Sequence, residues 1–336
     1  MSAAADDDGM DTDTDVTSVS SEDALDYILG VVIDRFGYAA RDVFNAVFNN
    51  KKTRATHEAA FGMLTPMQLQ EAFSFLTDNL VTSALSHMVV ALTPVCSDPY
   101  TDDHWKVNFK SPWVAKSITQ RLRIATDKEV LKQLSFLQRI PQAGGLEGYL
   151  FEPFIHRALT KTKNGHFQLF SMVSDGEDSP RFLMNQMVPV TIRFAKVKCR
   201  VVVFNSIADL SMHENTYYIP ASTEFPLFDA FTMEIDLSKS SAILWVIQIT
   251  VSRSHGGSPR GYQKIRSIMG WLKQQLRWDG QSASLPCVTV RYILVVTKGE
   301  SDKLEWHFPK GWNVSCVRND HRGDVYCIEV DLTKVF

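Results

Sequence analysis

With 336 residues and 45% apolar content, the chain has the length for two domains and the composition of a folded protein rather than a disordered one. Its net charge of −3 is unevenly spread: Asp6, Asp7, Asp8, Asp11, Asp13, Asp15, Glu22 and Asp23 crowd one end, no basic residue precedes Arg35, and the mildly basic remainder admits a nucleic-acid partner without requiring one. No apolar run approaches the ~20 residues of a membrane span, no signal peptide is visible, and five scattered cysteines suit a reducing compartment, so an intracellular protein is expected, with a nuclear location open and no membrane partner.

Residues 1–22 read as an acidic tail, mainly of Asp, Ser, Thr and Ala with no aromatic side chain, unable to bury enough surface to order itself. A helix is expected after Ser20 or Ser21, with Leu25, Ile28, Leu29 and Val32 at helical spacing, and another over residues 41–48. Thr65-Pro66 signals a third start, and the stripe Leu69, Phe73, Leu76, Leu80, Ala84, Met88 predicts one long helix ending before Pro94. Residues 104–109 alternate like a short strand; Ser111-Pro112 and Thr126-x-x-Glu129 then open two more helices. Residues 23–140 thus read as a mostly helical domain with no catalytic constellation.

Residues 141–145 resemble a linker, and the texture then changes over 145–336. One helix (146–160) precedes strand-like runs at 166–173, 188–194 and 196–204. A β-hairpin follows across residues 233–247, then a helix (261–277) and strands at 288–296 and 325–330. The expectation is an α/β sheet flanked by helices. There is no G-x-x-x-x-G-K-[ST], hence no loop to cradle ATP phosphates.

Chemistry concentrates on the hairpin. If its turn centres between Ser238 and Lys239, Asp229 faces Gln248 directly, and Thr250 shares the face by the two-residue period. Buried polar groups need partners, so the cluster either binds something or satisfies itself, with Asp229 and Gln248 pairing or Asp229 capping a turn. Glu152 and His156, four apart on the preceding helix, read as a surface pair on spacing alone. Residues 252–262 form a glycine-bearing loop with Arg253, His255 and Arg260 that enters a helix N-terminus, a setting that favours anions. On that helix Ile265, Ile268, Met269, Leu272 and Leu276 point inward, while Lys264, Arg266, Lys273 and Arg277 lie elsewhere on its surface. Cys316, His321 and Cys327 lack the close cysteine pair of a structural zinc site.

Taken together, Gly148-x-x-Phe151-Glu152-x-x-x-His156, Tyr218-Ile-Pro220, Phe225-Pro226-x-x-Asp229-Ala-Phe231 and Gln248-x-Thr250-x-Ser252-x-x-His255 resemble the C-terminal nuclease-like domain of Crinkler-type proteins, shared with retrotransposon hot spot proteins. Residues 255–262 and 319–324 look like its fungal members. The resemblance covers about residues 145–330 and implies a restriction-endonuclease-like fold of the PD-(D/E)xK kind. It makes Glu152 the helix carboxylate, Asp229 the central metal ligand and Gln248 the occupant of the second acid's place, with Mg²⁺ as cofactor. Thr250 stands where that larger fold places its lysine, and Lys264 or His255 could substitute for it. Arg253, His255, Arg260, Lys264, Lys273 and Arg277 would meet nucleic acid, DNA before RNA. Residues 36–41 and 104–118 resemble the C-terminal end of the family's ATPase region. That implies either a shortened member or a helical domain that serves alone and offers a protein partner its surface.

Overall fold

The computed structural model describes residues 20–78, 84–94, 105–122, 127–138, 144–161, 166–176, 181–184, 189–195, 200–213, 215–221, 228–252, 254–256, 259–278, 285–301, 304–308 and 324–331. The expected acidic tail lies outside them up to residue 19.

Helix α1 (Ser21–Phe36) begins where the Ser20 hydroxyl accepts the Asp23 N–H at 3.1 Å, a capping bond worth about 1 kcal/mol. It stops at Gly37, whose φ of 75° takes the chain into the left-handed region and lets Lys110 pack against a position with no Cβ. Helix α2 (Ala40–Gly62) runs well beyond the apolar period at 41–48, across a kink at Asn49. Its second half is polar in sequence, yet His57 and Phe61 are buried against Phe36 and Trp113.

The described residues of the expected long helix lie in α3 (Pro66–Asp78) and α4 (Ala84–Val89), but its last stretch before Pro94 is a strand, β1 (Val90–Pro94). Val90 to Pro94 pairs antiparallel with β2 (Trp105–Phe109), and this ladder stops the helix from continuing past Val89. Thr65 and Gln68 form a reciprocal cap at the start of α3, and Ser111 caps α5 (Pro112–Leu122) by accepting the Val114 N–H. Helix α6 (Asp127–Leu137) follows; the expected cap at Thr126 lies outside the described residues.

Helix α7 (Gly144–Lys161) leads into the sheet strands β3 (His166–Ser171), β4 (Val173–Ser174), β5 (Arg181–Leu183), β6 (Pro189–Ala195), β7 (Arg200–Phe204), β8 (Thr216–Pro220), β9 (Ala230–Asp236) and β10 (Ser241–Ile249). After β11 (Ser254–Gly256), helix α8 (Pro259–Trp278) crosses back to β12 (Cys287–Thr297), followed by β13 (Glu305–His307) and β14 (Val325–Val330). Among the described residues the main sheet has eight strands in the order β6-β3-β14-β12-β10-β9-β8-β7. Strands β10, β12 and β14 are parallel neighbours, which is why a crossover helix must lie between the first two. Strand β9 is antiparallel to both β8 and β10.

Each sheet face buries its own apolar cluster. On one, Trp245, Ile247, Ile293, Val295 and Ile328 meet Leu150, Phe151, Phe154 and Ile155 of α7; the same cluster continues without a break into Phe73, Val114, Ile118 and Leu134 of the N-terminal helices. On the other, Leu244, Val246 and Leu294 meet Ile265, Ile268, Met269, Leu272 and Leu276 of α8, the inward set expected from sequence. A second, four-stranded sheet, β11-β13-β5-β4, covers this side through the buried Trp306 and Phe182. The architecture is mixed α/β with helices on both faces.

Candidate functional site

The hairpin has the register its turn implied. Ser241 pairs with Asp236 and Ile247 with Ala230, so Asp229 and Gln248 come next, at the open end of the strands. The turn itself is held by Asp236, whose carboxylate accepts the Lys239 N–H and the Ser238 hydroxyl; those bonds and the Lys239 ammonium hold its acid near a pKa of about 2. Ser240 adopts a left-handed φ of 47° to re-enter the sheet.

Asp229 extends the ladder with both its backbone and its side chain. Its N–H donates to the Ile247 carbonyl at 3.0 Å, and its Oδ2 accepts the Ile249 N–H at 2.6 Å and the Gln248 Nε2 amide at 2.7 Å. The self-satisfying arrangement raised by the sequence is therefore present. Burial nonetheless drives the Asp229 carboxyl well above the usual carboxylate range, and the charge of Glu152 raises it further. The hydrogen bonds from Ile249 and Gln248 pull in the other direction. Among the described residues no lysine or arginine pairs with either Asp229 or Glu152.

Glu152 reaches this end of the sheet from α7. A Cβ on Gly148, one turn earlier, would lie 3.7 Å from Val251, so the helix passes close over the segment that leaves β10. Pro153 follows Glu152 directly and deletes one helical N–H donor beside it. The Glu152 carboxylate stands 3.5 Å from His156 Nε2, and His156 Nδ1 lies 2.9 Å from the hydroxyl of Tyr217 on β8. Sequence reading placed Glu152 and His156 together but passed over Tyr217. Its one signal was alternation: Tyr218 stacks on Phe231 on the α8 face at 4.7 Å, which leaves Tyr217 to the α7 face.

Gln248 and Thr250 are both buried. The Gln248 amide nitrogen is committed to Asp229, which leaves its Oε1 as the oxygen available to a cation. The Thr250 hydroxyl accepts the Ser252 N–H at 2.9 Å in a local turn, so it is occupied by its own chain. No three His, Cys, Asp or Glu side chains converge tightly enough among the described residues to hold a metal by themselves. The oxygen set Asp229, Glu152 and Gln248 suits a hard cation such as Mg²⁺, which keeps waters and borrows phosphate oxygens.

The basic residues divide by position. Arg253 lies outside the described residues, and for His255 only the backbone is described, in β11 opposite Trp306. Arg260 and Lys264 are exposed in the first two turns of α8, the end joined to the open end of β10. Lys273 and the exposed Arg277 lie on the last turns; at 1.5 Å per residue, Arg277 is about 26 Å along the axis from Arg260. Helix α8 carries no acid at all. Cys327 is buried, with its thiol pushed up to about 12 by burial, while Cys316 and His321 lie outside the described residues.

Compared with protein families, curated proteins and solved structures, the chain matches none.

Proposed function

We propose that the chain is a nucleic-acid-binding protein with a Mg²⁺-dependent phosphodiesterase site of Crinkler type on a restriction-endonuclease-like fold. The observation that supports it most is electrostatic: burial and the charge of Glu152 both weigh against an ionised Asp229 at the end of a buried strand pair, and no lysine or arginine among the described residues pairs with either carboxylate. A cation held between them would relieve that penalty. The order of elements is in keeping with the reading, with a carboxylate-bearing helix, an antiparallel hairpin, a crossover helix and a parallel strand in succession.

In this reading Asp229 and Glu152 hold the metal, Gln248 turns its amide oxygen to it, and Arg260 and Lys264 take the phosphate backbone. Bound Mg²⁺ supplies an activated water and neutralises charge on the scissile phosphate. DNA is the substrate we favour. Incubation with Mg²⁺ or Mn²⁺ should nick plasmid or degrade single strands, and Asp229→Ala should abolish this; equal activity in wild type and variant would overturn the catalytic claim.

A second reading is an inactive nuclease fold serving as an interaction module. It draws on Thr250, a hydroxyl where a lysine would aid the transition state, and on the apolar side chains Tyr27, Ile28, Val31, Phe44 and Phe48 left exposed on α1 and α2, a surface suited to a protein partner. Nucleic-acid binding that weakens with salt but brings no cleavage would favour it.

A further inference from the structure

Helix α7 presents His156 one turn after Glu152, and its environment is unusual for a surface pair. The residue is nine-tenths buried, and its Nε2 has no hydrogen-bond partner in the structure. Glu152 Oε1 stands nearest in charge, at 3.5 Å; the Glu152 side chain is 37% exposed, so a small rotation closes that gap to hydrogen-bond length. On the other side of the ring, Nδ1 is 2.9 Å from the Tyr217 hydroxyl, and the two rings meet edge-on at 5.7 Å. Tyr217 is fully buried on β8, so neither partner can turn away without opening the core.

A neutral imidazole has one donor and one acceptor nitrogen, and the bond made by one nitrogen sets the role of the other. With the proton on Nδ1, the Nε2 lone pair would face a carboxylate across a buried gap, which is repulsive. With the proton on Nε2, the N–H points at Glu152 and Nδ1 accepts the phenol proton of Tyr217. Only the second arrangement satisfies the atom left without a partner.

We infer that Tyr217 and His156 are positioning residues: the Tyr217 O–H fixes His156 as the Nε2–H tautomer, and that N–H holds the Glu152 carboxylate toward Asp229. The consequence for metal rests on the proposed function above; the tautomer does not. A relay of this kind restricts a flexible side chain before any ligand arrives, and such supporting contacts commonly change metal affinity by about 10- to 100-fold.

Two measurements on the full chain test it. Nitrogen-15 spectra at pH 8, with the His156 signal identified by its loss in His156→Gln, should show a protonated Nε2 and an unprotonated Nδ1. Tyr217→Phe, which keeps the ring and removes only the hydroxyl, should give mixed tautomers. In calorimetric titrations with Mn²⁺, Tyr217→Phe should bind about ten-fold more weakly. His156→Gln, whose amide N–H falls near the place of Nε2–H, should stay close to wild type, and His156→Ala should not. A protonated Nδ1 in the wild type would overturn the inference, as would unchanged tautomer and affinity in Tyr217→Phe. If the Phe variant fails to fold, the Gln and Ala pair decides. A wild type that binds no Mn²⁺ would sink the metal reading and leave the tautomer to be judged by the spectra alone.

Discussion

Asp229 is held by two opposing influences. Two N–H donors favour its charged form, while burial and the Glu152 charge favour the protonated one, and the second pair prevails. A carboxyl that binds its proton more tightly folded than unfolded lowers stability as pH rises from the ordinary carboxylate range, near 3.9, through the raised folded value. Asp229→Asn keeps the acceptor for Ile249 and removes the charge. Its melting temperature should therefore exceed that of wild type at pH 8, with the gap closing as pH is lowered toward 4. A melting series from pH 4 to 8 checks this, and a gap that does not depend on pH would rule it out. The sequence made Asp229, Gln248 and Thr250 legible because period-two alternation and turn position fix who faces whom. It left Tyr217 unread, since a tyrosine in an apolar strand looks like core until the helix above it is placed.

At the scale of elements, α8 is the one whose sequence and structure agree most closely. Its inward stripe is buried as spaced, and its outer side carries Arg260, Lys264, Arg266, Lys273 and Arg277 without an acid. The connection from β10 puts only its first turns at the candidate site. A span of about 26 Å equals about eight base pairs at 3.4 Å per step. Lys264→Ala should reduce the dependence of log affinity on log salt by about one for short and long duplexes alike. Arg277→Ala should do so on a 20-base-pair duplex and have little effect on a six-base-pair one. Fluorescence anisotropy across a salt series measures both, and identical behaviour of the two variants on the short duplex would contradict this placement. The described residues of the stripe from Leu69 to Met88 are helical, but the helix does not run on toward Pro94, because Val90 to Pro94 finds a ladder partner in β2 that local spacing cannot reveal.

Across the whole molecule, the apolar cluster on the α7 face runs from Phe73 and Ile118 through Phe151 and Phe154 to Trp245 and Ile293. Helix α7 is thus covered on both sides, by the sheet and by the N-terminal helices. A chain of residues 144–336 would lay that outer side bare, where each fully exposed Leu or Phe forfeits about 1.5–3 kcal/mol of burial. It should be poorly soluble or melt without cooperativity, as read by light scattering and circular dichroism; a soluble fragment with a sharp melt would show that the sheet region is autonomous.

By itself the sequence determined the helix and strand types of the strongly patterned segments, the hairpin register and the polar cluster at its end, because side-chain period and turn chemistry are local. Only the tertiary structure decided that β1 is a strand, that a second sheet covers the α8 side, and that Glu152 bears on Asp229. Those outcomes depend on which distant segments share a surface, and burial acts on the assembled layers rather than on neighbours along the chain.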